Sequence, residues 1–167
     1  RGVLLDALDA LGTQRAAVVL VGAQAIYLYT GSAGLAISEY TTDADIALNP
    51  ELLSDSPNLE AALVDQKVLT IPSLDPADIR NYQVAVAGPS ALLVAKLHKI
   101  ADREGGAGRL HDKDALDVLR LLRGIKTDDL AAPFPRLSAD TVAGGVTREA
   151  VGLLRRLFAT ADSEGSR

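Results

Sequence analysis

Hydrophobic positions along the chain fall into short aliphatic runs separated by longer stretches of helical period. Leu4, Leu8 and Leu11 share one helix face and Gly12 follows as a stop. Residues 16–21 form an unbroken aliphatic run, the pattern of a buried strand. Gly22 comes next, and residues 23–29 predict a helix that packs Ile26 and Tyr29. Gly31 and Gly34 mark a loop, after which residues 43–48 alternate polar and apolar. That alternation predicts a half-buried strand with Asp43 and Asp45 on the same face, ended by Asn49-Pro50.

The second half is read in the same way. Residues 59–64 predict a short helix, and residues 68–71 and 84–87 predict strands. Gly88-Pro89-Ser90 opens a helix with Leu92, Leu93, Leu97 and Ile100 inward. Lys96, Lys99 and Arg103 are expected on its opposite, solvated side. After the glycine-rich break at residues 105–108, residues 112–123 predict a helix with Leu116, Leu119 and Leu122 inward. Residues 147–159 predict a last helix packed through Leu153, Leu154, Leu157 and Phe158, and the tail from Asp162 is expected to fray. The expected fold is α/β (α+β), a short mixed sheet flanked by helices. Residues 1–88 form its core and residues 89–167 a helical C-terminal part.

Composition narrows the function classes. Hydrophobic residues at 48% and charged residues at 23% exclude a disordered or collagen-like chain. Cysteine is absent, which excludes thiolate metal sites and thiol nucleophiles. No apolar run reaches the roughly 18–20 residues that span a bilayer, and Asp6 and Asp9 interrupt the first segment, so the expectation is a cytoplasmic protein without membrane contact. The net charge of −5 argues against a general nucleic-acid coat. Its distribution is uneven: residues 1–95 hold 4 Lys/Arg against 11 Asp/Glu, whereas residues 96–126 hold 8 against 5. An acidic half beside a basic helical stretch suits a metal ion next to a phosphate-bearing ligand.

The candidate chemistry sits in a strand–Gly–helix–strand unit. A strand that runs directly into Gly22 lets the backbone approach a phosphate closely, and the helix that follows offers unpaired N–H groups. The next strand presents Asp43 and Asp45 two residues apart, with side chains roughly 6–7 Å from one another. Two oxygen ligands so placed suit a hard cation such as Mg²⁺, which commonly combines one or two carboxylates with phosphate oxygens.

In this unit the chain resembles the nucleotidyltransferase superfamily of DNA polymerase β-like fold, whose mark is a hydrophobic strand, Gly-Gly or Gly-Ser, a helix and then h-D-h-D-h. The matching residues are Val21-Gly22-Ala23 and Thr42-Asp43-Ala44-Asp45-Ile46. Downstream, residues 88–97 and Asp112-Lys113-Asp114-Ala115-Leu116-Asp117-Val118 are similar to the AbiEii/MenT-like nucleotidyltransferase toxins. The resemblance covers roughly residues 16–125. It implies a magnesium ion, or manganese, held by Asp43 and Asp45, and a catalytic set of Asp43, Asp45, Lys96 and Asp114. It implies triphosphate contacts from Gly22, Ala23 and Lys96 or Lys99, with Asp112 competing with Asp114 for its role. Asp117 is expected near the same face, paired with Lys113 or Arg120. The implied partners are a nucleoside triphosphate, the acceptor end of tRNA and a cognate antitoxin protein. Transfer of a nucleoside monophosphate to the tRNA 3′ end would block translation. The rival readings are a transferase acting on a protein or small molecule, and an inactive nucleotide-binding module.

Two departures from the family pattern stand out. Ala23 replaces the usual glycine or serine, so a side-chain hydroxyl contact to phosphate is lost. Val64-Asp65-Gln66 is a poor match to the hydrophobic-Asp-hydrophobic strand that carries a third carboxylate in polymerase-like enzymes.

Overall fold

The computed structural model describes residues 2–12, 15, 18–31, 46–48, 61, 64–73, 75–103 and 110–166. A four-stranded mixed sheet carries helices before, between and after its strands. Helix α1 (Gly2–Leu11) leads into β1 (Val18–Leu20), α2 (Gly22–Thr30) and β2 (Ile46–Leu48). Strands β3 (Gln66–Pro72) and β4 (Asn81–Ala87) form a hairpin. Five helices follow: α3 (Pro89–Ala101), α4 (Leu110–Gly124), α5 (Thr127–Ala131), α6 (Phe134–Ala139) and α7 (Gly144–Phe158). The expected α/β class is therefore observed, with the sheet in the first half and the helical part in the second.

The strand order is β2-β1-β4-β3. Strand β1 runs antiparallel to β2, with Leu20 opposite Ile46, and parallel to β4, with Leu20 opposite Val86. Strand β3 runs antiparallel to β4, from Gln66 opposite Ala87 to Pro72 opposite Asn81. These directions bring the C-terminal ends of β1 and β4 and the N-terminal ends of β2 and β3 to one edge of the sheet. Val18, Val19 and Leu20 are all buried, as a three-residue central strand requires.

Helix α3 lies at the centre of the helical part. It begins behind Gly88 as N-cap, with Pro89 at its first turn supplying a preset φ. It packs on α2, α4, α5 and α7, so almost every residue from Ser90 to Ile100 is buried. This corrects the expectation that Lys96 projects to solvent: enclosure on all sides leaves Lys96 only 5% exposed.

Helix α4 also differs from expectation. Its inward stripe is Asp114, Asp117, Val118 and Leu121, whereas Leu119 and Leu122 are partly exposed. Both sets have helical spacing, and the carboxylates win the interior because α3 supplies a cation there. Helices α5 and α6 are too short and too polar to show a hydrophobic period. The C-terminal segment, expected to fray, closes with a 3₁₀ turn (Glu164–Ser166) packed against α7.

Helix α1 is fixed to the hairpin from outside as well as inside. Leu4, Leu5 and Leu8 are buried. Arg80, in the turn before β4, reaches Asp6 at 2.8 Å, Asp9 at 3.0 Å and Asp78 at 2.7 Å. Tyr82 donates a hydrogen bond to Asp9, and Arg15 lies 4.5 Å over the Tyr82 ring. Hydrogen bonds from Arg80 hold the Asp78 carboxyl down at about 2, and those from Tyr82 and then Arg80 lower Asp9. Depressed carboxylates contribute stability above their unfolded pKa near 4, and Asp78 loses its share as pH falls through about 2. The urea-midpoint difference between wild type and Arg80→Met should therefore be largest near neutral pH and shrink between pH 4 and pH 2. A constant difference would contradict this ionic tie.

Candidate nucleotide site

The site is built on the sheet edge where four strand ends meet. Strand β1 ends at Leu20, and Gly22 turns the chain into α2 with φ of 72°. An L side chain rarely adopts that φ, so glycine is needed for the strand to become a helix within two residues. Strand β4 ends in the same direction, and Gly88 opens α3. Neither helix start is capped by a side chain. Two sets of unpaired N–H groups, each at a positive dipole end, therefore share one edge. Ligands in open α/β sheets bind at such places, outside the carboxyl ends of parallel strands.

Gly22 and Ala23 lie on this edge. The methyl of Ala23 is buried, so its contribution to an anion site is its backbone N–H. Asp43 and Asp45 lie outside the described residues. Ile46, the next residue in the chain, pairs with Leu20 at the end of β1. Among the described residues no group of three or more His, Asp or Glu side chains could hold a metal ion.

Asp65 comes to the same edge from the other side, immediately before β3. Its backbone carbonyl accepts the Gly88 N–H at 2.6 Å. Its side chain is buried, 3.5 Å from Arg136 through one oxygen and without a hydrogen bond at the other. Burial and then the Asp65 charge push the Tyr29 phenol up to about 12, so Tyr29 remains protonated. Strand order separates β3 from β2 by three strand spacings, about 14 Å, so Asp65 is not poised to share a cation with residues ahead of β2. A β-carbon at Gly88 would overlap the Asp65 carboxylate. Gly88→Ala is therefore expected to cost about 1–3 kcal/mol of stability, read by urea unfolding. An unchanged midpoint would contradict this close packing.

Behind the edge stands a buried ion cluster that joins α3 to α4. Lys96 Nζ is 2.7 Å from Asp114 Oδ1 and 2.7 Å from Asp117 Oδ2. The other oxygen of Asp114 is 2.5 Å from Arg103, just past the end of α3. Burial works to lower the Lys96 pKa, but the carboxylates of Asp117 and Asp114 outweigh it and hold the ammonium above its usual range. Lys96 is thus a fixed cation rather than a base. Arg120, one turn beyond Asp117, is fully buried with its guanidinium 4.9 Å over the Tyr27 ring. Tyr27 belongs to α2, so the helix that starts at Gly22 packs on α4 through this contact.

The structure thus brings Lys96 and Asp114 together, but as partners of one another. Lys99 is half-buried and takes part in no ion pair among the described residues. Asp112 lies near the start of α4, and its side chain is outside the described residues. Asp117 pairs with Lys96, a partner beyond the expected Lys113 or Arg120, because the i, i+3 spacing turns it inward beside Asp114. That spacing was the available signal. Nothing local signalled the role of Arg103, whose partner lies 11 residues away on α4.

Two further features lie in the helical part. The imidazole of His98 is buried, with Nε2 2.8 Å from the Val146 carbonyl, a structural link from α3 to α7. An apolar pocket of about 230 Å³ between the C-terminal helices is lined by residues such as Leu93, Leu130, Phe134 and Leu154 and has no charged group. It offers nothing to recognise a phosphate. Among the described residues no helix is long and apolar enough to cross a membrane. Compared with known proteins, the chain matches no family model, no curated protein and no solved structure.

Proposed function

We propose that the chain is a nucleotidyltransferase using Mg²⁺ or Mn²⁺, the toxin of a toxin–antitoxin pair, which transfers a nucleoside monophosphate from a nucleoside triphosphate to the 3′ end of tRNA. The observation that carries the reading is the pairing of Ile46 with Leu20. It sets the strand that follows Asp43-Ala44-Asp45 beside the strand that ends at Leu20, just before Gly22, at the edge from which α2 and α3 both start.

In this reading Asp43 and Asp45 hold the cation, which when bound neutralises charge on the triphosphate and on the departing pyrophosphate. The first N–H groups of α2, at Gly22 and Ala23, bind phosphate oxygens. The acceptor hydroxyl attacks the α-phosphorus and gives its proton to a carboxylate of the site. The bond to the β-phosphate oxygen breaks and pyrophosphate leaves. Lys96 contributes positive charge and Asp114 fixes its position. A cognate antitoxin is the protein partner of this reading. A nucleotide-binding module without transfer is the second reading, favoured by the two carboxylates that already hold the Lys96 ammonium.

Incubation with each α-³²P-labelled ribonucleotide, Mg²⁺ and total tRNA tests the proposal. Label is expected on intact tRNA with one nucleotide, and not on tRNA whose 3′ ribose has been oxidised by periodate. Label on protein would move the acceptor to a protein hydroxyl. Nucleotide binding without any transfer would leave the binding module.

A further inference from the structure

We propose that the C-terminal helices form the docking face for an amphipathic helix of a partner protein, with large apolar side chains along one side and carboxylates beside them. The inference rests on the toxin reading only for the identity of that partner, a cognate antitoxin.

The surface begins with a stripe whose pattern belongs to a core. Leu116, Leu119 and Leu122 recur at helical spacing on α4, yet Leu119 is 37% exposed and Leu122 36%. Lys96 holds Asp114 and Asp117 on the inward side of α4, which leaves the leucine stripe turned outward. The stripe borders a concavity. Leu122 lines the pocket of about 230 Å³, together with Leu93 of α3, Leu130, Phe134, and Val151 and Leu154 of α7. An apolar cavity of roughly 150 Å³ already takes up benzene, so there is room for one phenylalanine or leucine side chain. The pocket is smaller than the roughly 300–1,000 Å³ of a site that encloses a whole small molecule. Apolar surface also continues beyond it, onto Leu119 three residues before Leu122. A pocket for one anchor beside a longer apolar strip is what a helix laid in a groove requires.

Charge selects the partner. Arg123 follows Leu122, Lys126 precedes Thr127 at the pocket wall, and Arg155 lies one turn beyond Val151 on α7. All three are exposed, and none takes part in an ion pair among the described residues. The neighbouring carboxylates are turned away. Helix α5 lines the pocket through Thr127, Leu130 and Ala131, which leaves Asp128 and Asp129 on its other side. Glu149 stands two residues before Val151, a spacing that puts it on a different face of α7. The lip of the groove is therefore cationic, and it complements a helix flanked by Asp and Glu.

A phage-displayed library of amphipathic helices tests this on the whole chain, with leucine or phenylalanine fixed at i, i+3, i+4 and i+7 and the flanking positions randomised. Selected peptides should carry Asp and Glu at the flanks. In anisotropy titrations the tightest of them should bind Leu122→Asp and Arg123→Glu/Arg155→Glu at least tenfold more weakly than wild type. The charge-reversed variant should instead bind a copy of that peptide with Lys at the flanks, and it carries the test if Leu122→Asp unfolds at a markedly lower urea concentration. Selected peptides without acidic flanks, full affinity for both variants, or a library from which nothing is enriched overturns the proposal. Wild type that sediments as a dimer, with Leu122→Asp a monomer, gives the face to a second copy of this chain and also overturns it. Nucleotide transfer is measured separately. Acidic peptides bound by a chain that transfers nothing remove the toxin reading and keep the docking face; transfer by a chain that enriches no peptide does the reverse.

Discussion

Asp45→Ala is expected to lose nucleotide transfer by about 10²–10³-fold or more while folding as wild type does. Asp45 immediately precedes Ile46, whose strand pairs with β1 beside the Gly22 turn. In the proposed site Asp45 is one of two carboxylates that hold the cation. Cation stabilisation of a phosphoryl transition state is worth several kcal/mol, and each 1.36 kcal/mol is about tenfold in rate. Asp43→Ala should behave alike, because in the proposed site each aspartate supplies one of the two carboxylates that hold the ion. The unfolding free energy from urea should stay within about 1 kcal/mol of wild type, since the proposed role of the pair is in cation binding. A variant that keeps a tenth of wild-type transfer would contradict the assignment of the pair as cation ligands.

The largest effect on stability is expected at Lys96. Lys96→Met leaves Asp117 without its cation and Asp114 with Arg103 alone, both at 2% exposure or less. Removing one partner of a buried pair typically costs about 3–5 kcal/mol, since the remaining charge keeps its desolvation penalty. For a chain of this size that corresponds to a fall in Tm on the order of 10 °C. Adding Asp117→Asn to Lys96→Met removes the stranded charge and should recover a large part of the loss. Urea unfolding of wild type, the single variant and the double variant makes the comparison. A single variant as stable as wild type would mean that the Lys96 ammonium is not committed to the two carboxylates. The raised pKa of Lys96 gives the same pair a pH signature. Its contribution is complete below the unfolded lysine value near 10.5 and fades as pH rises past it.

Much of the fold is legible in the sequence because local rules and tertiary packing agree there. The aliphatic run over residues 16–21, the Gly22 turn and the helix after it follow from β-branched clustering, a positive φ and helical period. Gly88-Pro89 announces α3 through cap and first-turn preferences. The interior of the helical part is less legible. Leu116, Leu119 and Leu122 form an apolar stripe that reads as the buried face of α4, yet the stripe actually buried carries Asp114 and Asp117. A carboxylate is placed inward only when a cation meets it, and that cation, Lys96, belongs to another helix. Lys96 misleads for the matching reason: a lone lysine on a helix reads as solvated unless the helix is enclosed on every side.

The candidate site divides along the same line. The resemblance in the strand–Gly–helix–D-x-D unit singles out Gly22, Ala23, Asp43 and Asp45, whose spacing is itself the signal. It also singles out Lys96 and Asp114, which the structure brings to 2.7 Å from one another. The part played by Asp117 and the tie between Arg103 and Asp114 depend on how α3 and α4 pack, which spacing within either helix does not convey.

The central claim is that the edge shared by Gly22, Ile46 and Gly88 holds the triphosphate. The most direct test is the amide NMR spectrum of ¹⁵N-labelled protein titrated with a Mg²⁺-bound, non-transferable nucleoside triphosphate analogue. The account predicts that the largest shifts fall on Gly22, Ala23 and Ile46 and on the first turn of α3, and that they disappear in the Asp43→Ala/Asp45→Ala variant. Shifts confined to the apolar pocket between the C-terminal helices, or no shifts at millimolar analogue, would contradict it.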